Sequence, residues 1–522
     1  MTEPLSAVEV ERKLTVPDAF SLEDLARALE TVEPGESTEA ITRVQAERKR
    51  TLTAVYYDTD DYRLARSKVT LRRRTGGGDS GWHLKLPGGD TNGAGRLEVT
   101  LPLKAGRPGR VPAALSDAVV ALTGGADLLP LAEQQTVRVP FTVYAGGDEP
   151  GVEVVDDTVT VTEGTQSGTT YREVEVEVLG RPDLLEPTVR ALSDAGAAPA
   201  TSESKGVRAL VGDTALPALV EPGGRPKPKH TAADAVTYHV RVQVAAIIEQ
   251  DMRVRQHLPD AVHQYRVAAR RLRSVLQAFA PLVDEEWARD LRAELGWIAN
   301  TLSQSRDREV LEARLVAAVR TLPSEVDGAA ALVLIQRHLD AELDEANATI
   351  ADAMRSARYR VLMQTLHQAT VTPPTTELAT GKAAKVLPPL VDARWRKLAK
   401  QGRRLHDELE GHDDHWHRTR IDAKKARYTV EACIPVFGDP AKKFARQLET
   451  VTELLGEHQD AAIAADLIQQ LSTRARGSRA AFALGVLYAQ QRARVQACRV
   501  EFVDAWPRIS HRSWRAWLEP KK

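Results

Sequence analysis

Glu9, Glu11 and Lys13 alternate in VEVERKL, and Glu173, Glu175 and Glu177 alternate in REVEVEV. Side chains point to opposite faces along a strand, so each charged triplet shares a face while the intervening valines take the other. Arg72 and Arg74 share a face in the same way. Lys85 lies between Leu84 and Leu86, Arg138 between Val137 and Val139, and Asp156 extends the acidic set. Arg96 and Glu98 alternate with apolar neighbours and are expected to form an internal ion pair. Carboxylates in a row repel one another unless cations sit among them. Carboxylates can hold a divalent metal, and Arg or Lys can grip phosphate oxygens. Phosphoryl chemistry needs both. A sandwich with polar faces in water explains any one of these strands; a closed barrel with a charged interior explains the set.

A second chemistry is written at helical spacing. His263, Arg266, Arg270 and Arg273 fall on one helix face, with Arg271 adjoining. His417, Arg420, Lys424 and Arg427 repeat the stripe, with Lys425 adjoining, at an offset of 154 residues. A solvated helix face explains one such stripe. Like charges stacked at this spacing destabilise an isolated helix, and neither stripe contains an acidic residue. An anionic ligand explains the repetition better. His412, His415 and His417, with Asp413 and Asp414, offer a weaker alternative as a metal site.

The elements that carry these residues differ along the chain. The 522 residues carry 43% hydrophobic and 27% charged side chains, which excludes a fully disordered chain. The formal charge of −1 hides a division. Residues 1–220 hold 24 Lys and Arg against 34 Asp and Glu, and 221–522 hold 47 against 38. Only His83 of the 13 histidines lies in the first part. Residues 1–212 read as short alternating strands with Gly-rich turns, plus helices near 22–29 and 184–195. Residues 213–229 are a Pro/Gly linker. From 230 to 520 the pattern is helical, in two copies at about 230–370 and 385–515, with Pro373, Pro374, Pro388 and Pro389 marking the break between them. LSQSRD (302–307) and LGEHQD (455–460) repeat at an offset of 153, and Arg306 with Asp307 reads as an ion pair fixing a helix. Two cysteines 65 residues apart form no CxxC pair, the N-terminus lacks a signal-peptide core, and no run is apolar enough to span a bilayer. A cytoplasmic protein is expected.

Glu9-x-Glu11-x-Lys13 at the N-terminus is similar to the ExExK signature of the CYTH family, the triphosphate tunnel metalloenzymes. TAVYYDT, Arg72-x-Arg74, Lys85, Arg96-x-Glu98, Arg138, Asp156, Glu173-x-Glu175-x-Glu177 and Ser204-Lys205 follow in the family's order. The resemblance implies an eight-stranded antiparallel β-barrel tunnel that binds a triphosphate with Mg²⁺ or Mn²⁺. It implies phosphate binding by Lys13, Arg72, Arg74, Lys85, Arg138 and Lys205, and metal binding by Glu9, Glu11, Asp156, Glu173, Glu175 and Glu177. Glu9, Glu11 and Lys13 become the catalytic candidates, with no single general base chosen. The second part resembles the CHAD domain, on its two H-x-x-R-x-x-x-[RK]-[RK]-x-R stripes. That resemblance implies two duplicated four-helix bundles whose basic groove binds inorganic polyphosphate. The expected function is metal-dependent hydrolysis of inorganic triphosphate, with polyphosphate captured by the helices and association with polyphosphate granules. The alternatives are a non-catalytic granule-binding protein, or adenylate cyclase or thiamine triphosphatase activity. A cyclase needs a pocket for adenine and ribose; residues 1–212 show no clear base-stacking cluster, though Tyr56, Tyr57 and Trp82 leave it open. Nucleic-acid binding predicts aromatic residues interleaved with the stripes, and there are few.

Overall fold

A computed structural model describes residues 5–17, 19–30, 41–87, 96–200, 204–408, 412–475 and 477–519. The chain divides into two compact units, 1–219 and 220–522.

The first unit is built on one antiparallel sheet. Its strands are β1 (Leu5–Glu9), β2 (Glu11–Thr15), β3 (Ile41–Ala46), β4 (Arg50–Asp58), β5 (Thr70–Thr75), β6 (Gly81–Pro87), β7 (Arg96–Pro102), β8 (Leu129–Ala145), β9 (Pro150–Glu163), β10 (Thr170–Val178) and β11 (Ala198–Pro199). They lie in the order β1-β7-β6-β5-β4-β8-β9-β10-β2-β11, with β3 added on β8. Among the described residues the hydrogen-bonded path does not close into the expected eight-stranded barrel. The chain itself supplies the missing seam. β1 pairs with β7 at one end of the path, β2 pairs with β10 near the other, and only Val10 separates them. The Val10 carbonyl accepts from Val178 N at 3.1 Å, so the seam is tied to the wall. The result is a tunnel-like wall joined by its own N-terminal segment.

Packing explains why charged residues face inward. Helices α1 (Leu22–Glu30) and α5 (Leu185–Asp194) cover the outer face of β2, β8, β9 and β10. Leu14, Phe141, Val143, Val152, Val154, Val174 and Val176 form a core with Leu25, Leu29, Leu185 and Leu192 there. The valines of each alternating strand are therefore used on the outside, and the opposite parity turns into the tunnel. Short helices α2 (Arg63–Arg66), α3 (Ala113–Ala118) and α4 (Val120–Thr123) lie in the connections. Helix α6 (Lys205–Val211) packs Ala209 and Leu210 against Ala54, Tyr56, Ala132 and Val161. Its second residue must be small: a Cβ on Gly206 would stand 2.6 Å from the Tyr56 ring.

The second unit is helical: α7 (Ala232–Arg255), α8 (Ala261–Ala278), α9 (Glu285–Arg320), α10 (Gly328–Arg355), α11 (Ala357–Val371), α12 (Ala383–Asp407), α13 (Asp413–Phe437), α14 (Asp439–Arg474) and α15 (Ser478–Ile509). The duplication is visible in length: α9 and α14 both span 36 residues and start 154 positions apart. The copies differ in count. Ser356 ends α10 and caps α11 through Tyr359 N at 3.1 Å, so the first copy uses five helices where the second keeps four. Pro373 and Pro374 do fall between the copies. Pro388 and Pro389 do not break the chain; they sit inside α12. So near the start of a helix, the two prolines remove two intrahelical hydrogen bonds just past the first donors, of which Ala383 N and Ala384 N are taken by the His230 and Pro228 carbonyls. Leu315, Ile335 and Leu339 of the first copy share a core with Leu467, Ile468, Leu484 and Leu487 of the second. Among the described residues no helix is long and apolar enough to cross a membrane.

Candidate active site

Inside the wall lies a cavity of about 340 Å³. Lys13, Arg72, Arg74, Lys85, Arg138 and Lys205 all line it, as do Glu11, Glu175 and Glu177. The first unit thus gathers every expected phosphate-binding residue from β2, β5, β6, β8 and α6. Arg50 and Glu153 line it too and were not singled out from the sequence.

The cations and carboxylates are already paired. Lys13 Nζ donates to Glu175 Oε1 at 2.6 Å and stands 3.4 Å from Glu11. Arg138 grips Asp157 with two hydrogen bonds, at 2.9 and 2.7 Å, and reaches Glu175 at 3.2 Å. Lys205 pairs with Asp157 and lies 3.1 Å from Glu173 and 3.0 Å from Glu175. Burial opposes charge on Lys13 and Lys205, but the surrounding carboxylates outweigh it and hold both ammonium groups well above their ordinary value. Burial likewise opposes ionisation of Glu175, and Lys13, Lys205 and Arg138 overcome it, holding its carboxyl well down. Arg74 is different. Burial pushes it down to about 9, and Arg72 and Arg138 push the same way. Its partner is Asp79, in the turn between β5 and β6.

Register decides which carboxylates can act together. Glu11 of β2 lies directly opposite Glu177 of β10, and Glu177 directly opposite Glu153 of β9. The three carboxylates form a row across adjacent strands, with Lys13 beside Glu11 and Arg138 near Glu153. Burial raises the Glu153 carboxyl, with Arg138 opposing. Carboxylate oxygens are the donors that Mg²⁺ and Mn²⁺ take, so the residues present suit such an ion. Among the described residues, though, no three ligating side chains are drawn together as a ready-made metal site.

Several sequence-derived positions land elsewhere. Glu9 has its side chain outside the described residues. Asp156 does not enter the cavity. It is opposite in parity to Glu153, faces the helix-covered side, and holds Arg172 at 2.8 and 2.7 Å. The inward carboxylate is its neighbour Asp157, which is fully buried. Counting by twos from Glu153 reaches Asp157, so the alternation did contain the answer. Glu173 is buried behind the cavity lining, against Lys205. Arg96 and Glu98 line the cavity without pairing with each other. Glu98 takes His83 Nδ1 at 3.0 Å, with Lys85 at 4.0 Å, while Arg96 donates to the Lys68 carbonyl at 3.4 Å. Burial opposes the Glu98 charge, but His83 and Lys85 bring its carboxyl down to about 2.

In the helical unit α8 packs against α13, which brings the two basic stripes together. Lys424 is the centre. Burial, Arg420, Arg270 and Arg266 together push its ammonium down to about 7, with Asp460 opposing. A lysine held among three arginines is a site waiting for an anion. His417 Nδ1 lies 2.8 Å from Gln459 Oε1. Arg427 and Arg271 are neutralised instead, by carboxylates the stripes themselves do not contain. Arg427 donates to Glu431 at 2.7 Å and Glu449 at 2.5 Å, and Arg271 lies 3.2 Å from Glu431. Among the described residues the histidine–aspartate cluster does not draw three ligating side chains together, and Asp413 is held by Arg492 at 2.8 Å and Arg499 at 2.5 Å. The side chains of Arg306 and Asp307 lie outside the described residues.

Comparison with known proteins follows this division. A model of the CYTH domain matches residues 7–195, and a model of the CHAD domain matches 239–469. An uncharacterized protein of Mycobacterium tuberculosis (strain ATCC 25618 / H37Rv) is 33% identical over 535 residues, covering 96% of each chain. Among solved structures, PptA from Streptomyces chartreusis is 26% identical with a TM-score of 0.46, covering 53% of this chain and 99% of its own. The CHAD domain from the plant Ricinus communis is 25% identical with a TM-score of 0.42, covering 54% of this chain and 95% of its own.

Proposed function

The chain belongs to the CYTH family through its first unit and to the CHAD family through its second, and from that premise we propose that the tunnel hydrolyses inorganic triphosphate with Mg²⁺ or Mn²⁺ while the helical unit binds inorganic polyphosphate. The observation that carries the reading is the cavity: six expected cations and a cross-strand row of three carboxylates share about 340 Å³. Arg72, Arg74 and Lys85 take phosphate oxygens from one side. A phosphate replaces Asp79 on Arg74 and relieves the repulsion from Arg72 and Arg138. Glu11, Glu177 and Glu153 face them from the opposite wall and are the donors for the divalent cation. A cation bound there supplies neutralisation of phosphate charge. Lys13, Lys205 and Arg138 hold Glu175 and Asp157 in place, which keeps the electrostatic frame fixed before substrate arrives. Orientation for in-line attack carries the catalysis, and no side chain is assigned as general base.

The aromatic residues favour an inorganic substrate over a nucleotide. Tyr57 and Trp82 contact each other at 5.1 Å between ring centroids, but both are buried and neither lines the cavity. Tyr56 does line it, with its hydroxyl taken by Gln134 at 3.1 Å. No aromatic pair among the lining residues is set to stack on a base. The test is phosphate release from inorganic triphosphate, ATP and thiamine triphosphate, each with Mg²⁺, Mn²⁺ or chelator. Metal-dependent release, fastest from inorganic triphosphate, is expected. Faster release from an organic triphosphate would reassign the substrate, and no release from any would leave the tunnel as a binding site.

A further inference from the structure

The two copies of the helical unit treat equivalent arginines differently. Arg273 of α8 corresponds to Arg427 of α13 at an offset of 154, and Gly296 of α9 corresponds to Glu449 of α14 at 153. Arg427 is neutralised by Glu431 and Glu449. At the equivalent positions around Arg273 stand Gln277 and Gly296. The correspondence is spatial as well: a Cβ on Gly296 would lie 3.2 Å from the Arg273 guanidinium carbon, where Glu449 reaches Arg427 in the other copy. Both neutralising carboxylates are thus absent on this side.

More cations gather there. Arg394 of α12 donates to the Gln277 backbone carbonyl at 2.5 Å, and Lys397 lies 3.1 Å from Asp422. Burial lowers Lys425, and Lys397, Arg394 and Arg273 lower it further, with Asp422 opposing. Arg292 has its Nε buried without a hydrogen-bond partner, and burial and Arg273 both depress it.

We propose that the helical unit is one-sided: a linear polyphosphate leaves the Arg270–Lys424 centre over Arg273, Lys425, Arg292 and Arg394, while Glu431 and Glu449 close the Arg271–Arg427 side. The inference rests on the polyphosphate reading above and adds a direction to it. Long chains gain contacts that triphosphate is too short to reach.

The test titrates the full chain with long-chain polyphosphate across a salt series. Gln277→Glu restores one missing carboxylate with no change in side-chain size, and Glu431→Gln removes one from the closed side. Gln277→Glu is expected to weaken binding about 3- to 10-fold and to flatten the log–log salt slope by about 1, as one phosphate contact is lost. Glu431→Gln is expected to hold or strengthen binding. Thermal melts verify that each variant folds, and Arg273→Gln serves if Gln277→Glu does not. Unchanged affinity and slope in a folded Gln277→Glu protein, while Lys424→Ala weakens binding, would overturn the one-sided path alone. Failure of the unaltered protein to bind polyphosphate would overturn the functional reading beneath it.

Discussion

The tunnel and the helical groove both collect basic side chains, but they balance them differently. In the tunnel Lys13, Arg138 and Lys205 are matched at hydrogen-bond distance by Glu175 and Asp157. At the groove's centre Lys424 is surrounded by Arg266, Arg270 and Arg420, with Asp460 opposing. A matched set stays folded without ligand and admits a phosphate only by exchange of partners, which favours a phosphate that arrives with its own cation. A lysine crowded by arginines is held down by repulsion that a polyanion relieves. The first arrangement suits selective chemistry on a short substrate. The second suits retention of a long one.

Five substitutions would break or sharpen this contrast. The largest effect is expected from Asp157→Asn, which takes from buried Lys205 and Arg138 the carboxylate they share and leaves only Glu175 and, for Lys205, Glu173 beside them. The first unit should lose about 3–5 kcal/mol of stability, read in a chemical melt, and a loss under about 1 kcal/mol would mean the tunnel is not a matched set. Asp156→Asn comes next. It leaves Arg172 without its carboxylate on the helix-covered face, so about 2 kcal/mol of stability is expected to go while the metal dependence of triphosphate hydrolysis stays put. A changed metal requirement would return Asp156 to the cavity. Lys424→Ala should weaken polyphosphate binding about 10-fold, the equivalent of about 1.4 kcal/mol, and leave triphosphate turnover intact.

The same lysine predicts a pH dependence. Its ammonium is held down to about 7, so it is protonated and attracts phosphate below that pH and loses its charge above it. Polyphosphate affinity should therefore fall as pH rises through about 7, and Lys424→Arg should abolish that step because a guanidinium stays charged. A step that persists in the arginine variant would belong to another group. The smallest effect is expected from Arg12→Ala. Arg12 pairs with Glu186 at 3.0 Å on the exposed outer surface, and a change within about 0.5 kcal/mol is expected.

Much of this could be read from the chain because strands alternate with a period of two. Glu11, Lys13, Glu175 and Glu177 needed only parity to be placed on one wall. Asp156 shows where parity needs an anchor. VEVVDDTV holds two valines and then two aspartates, and only the register against β8 and β10 says which aspartate turns inward. Arg50 and Glu153 sit on the correct faces but belong to no signature, so nothing marked them before the wall was assembled. In the helices Glu431 lies four residues after Arg427 and was within reach of helical spacing. Glu449 arrives from α14, and no local pattern announces it. The N-terminal seam is likewise tertiary: nothing in VEVERKL says that its two halves pair with opposite ends of one sheet.

If one unit does the chemistry and the other does the holding, the two activities separate. The most direct measurement compares Glu11→Gln with the unaltered protein in two assays on the same sample, phosphate release from inorganic triphosphate and binding of long-chain polyphosphate. Metal-dependent release is expected to fall at least about 100-fold while polyphosphate binding is unchanged. Release that survives in a folded Glu11→Gln protein, or binding that falls together with it, would contradict the account.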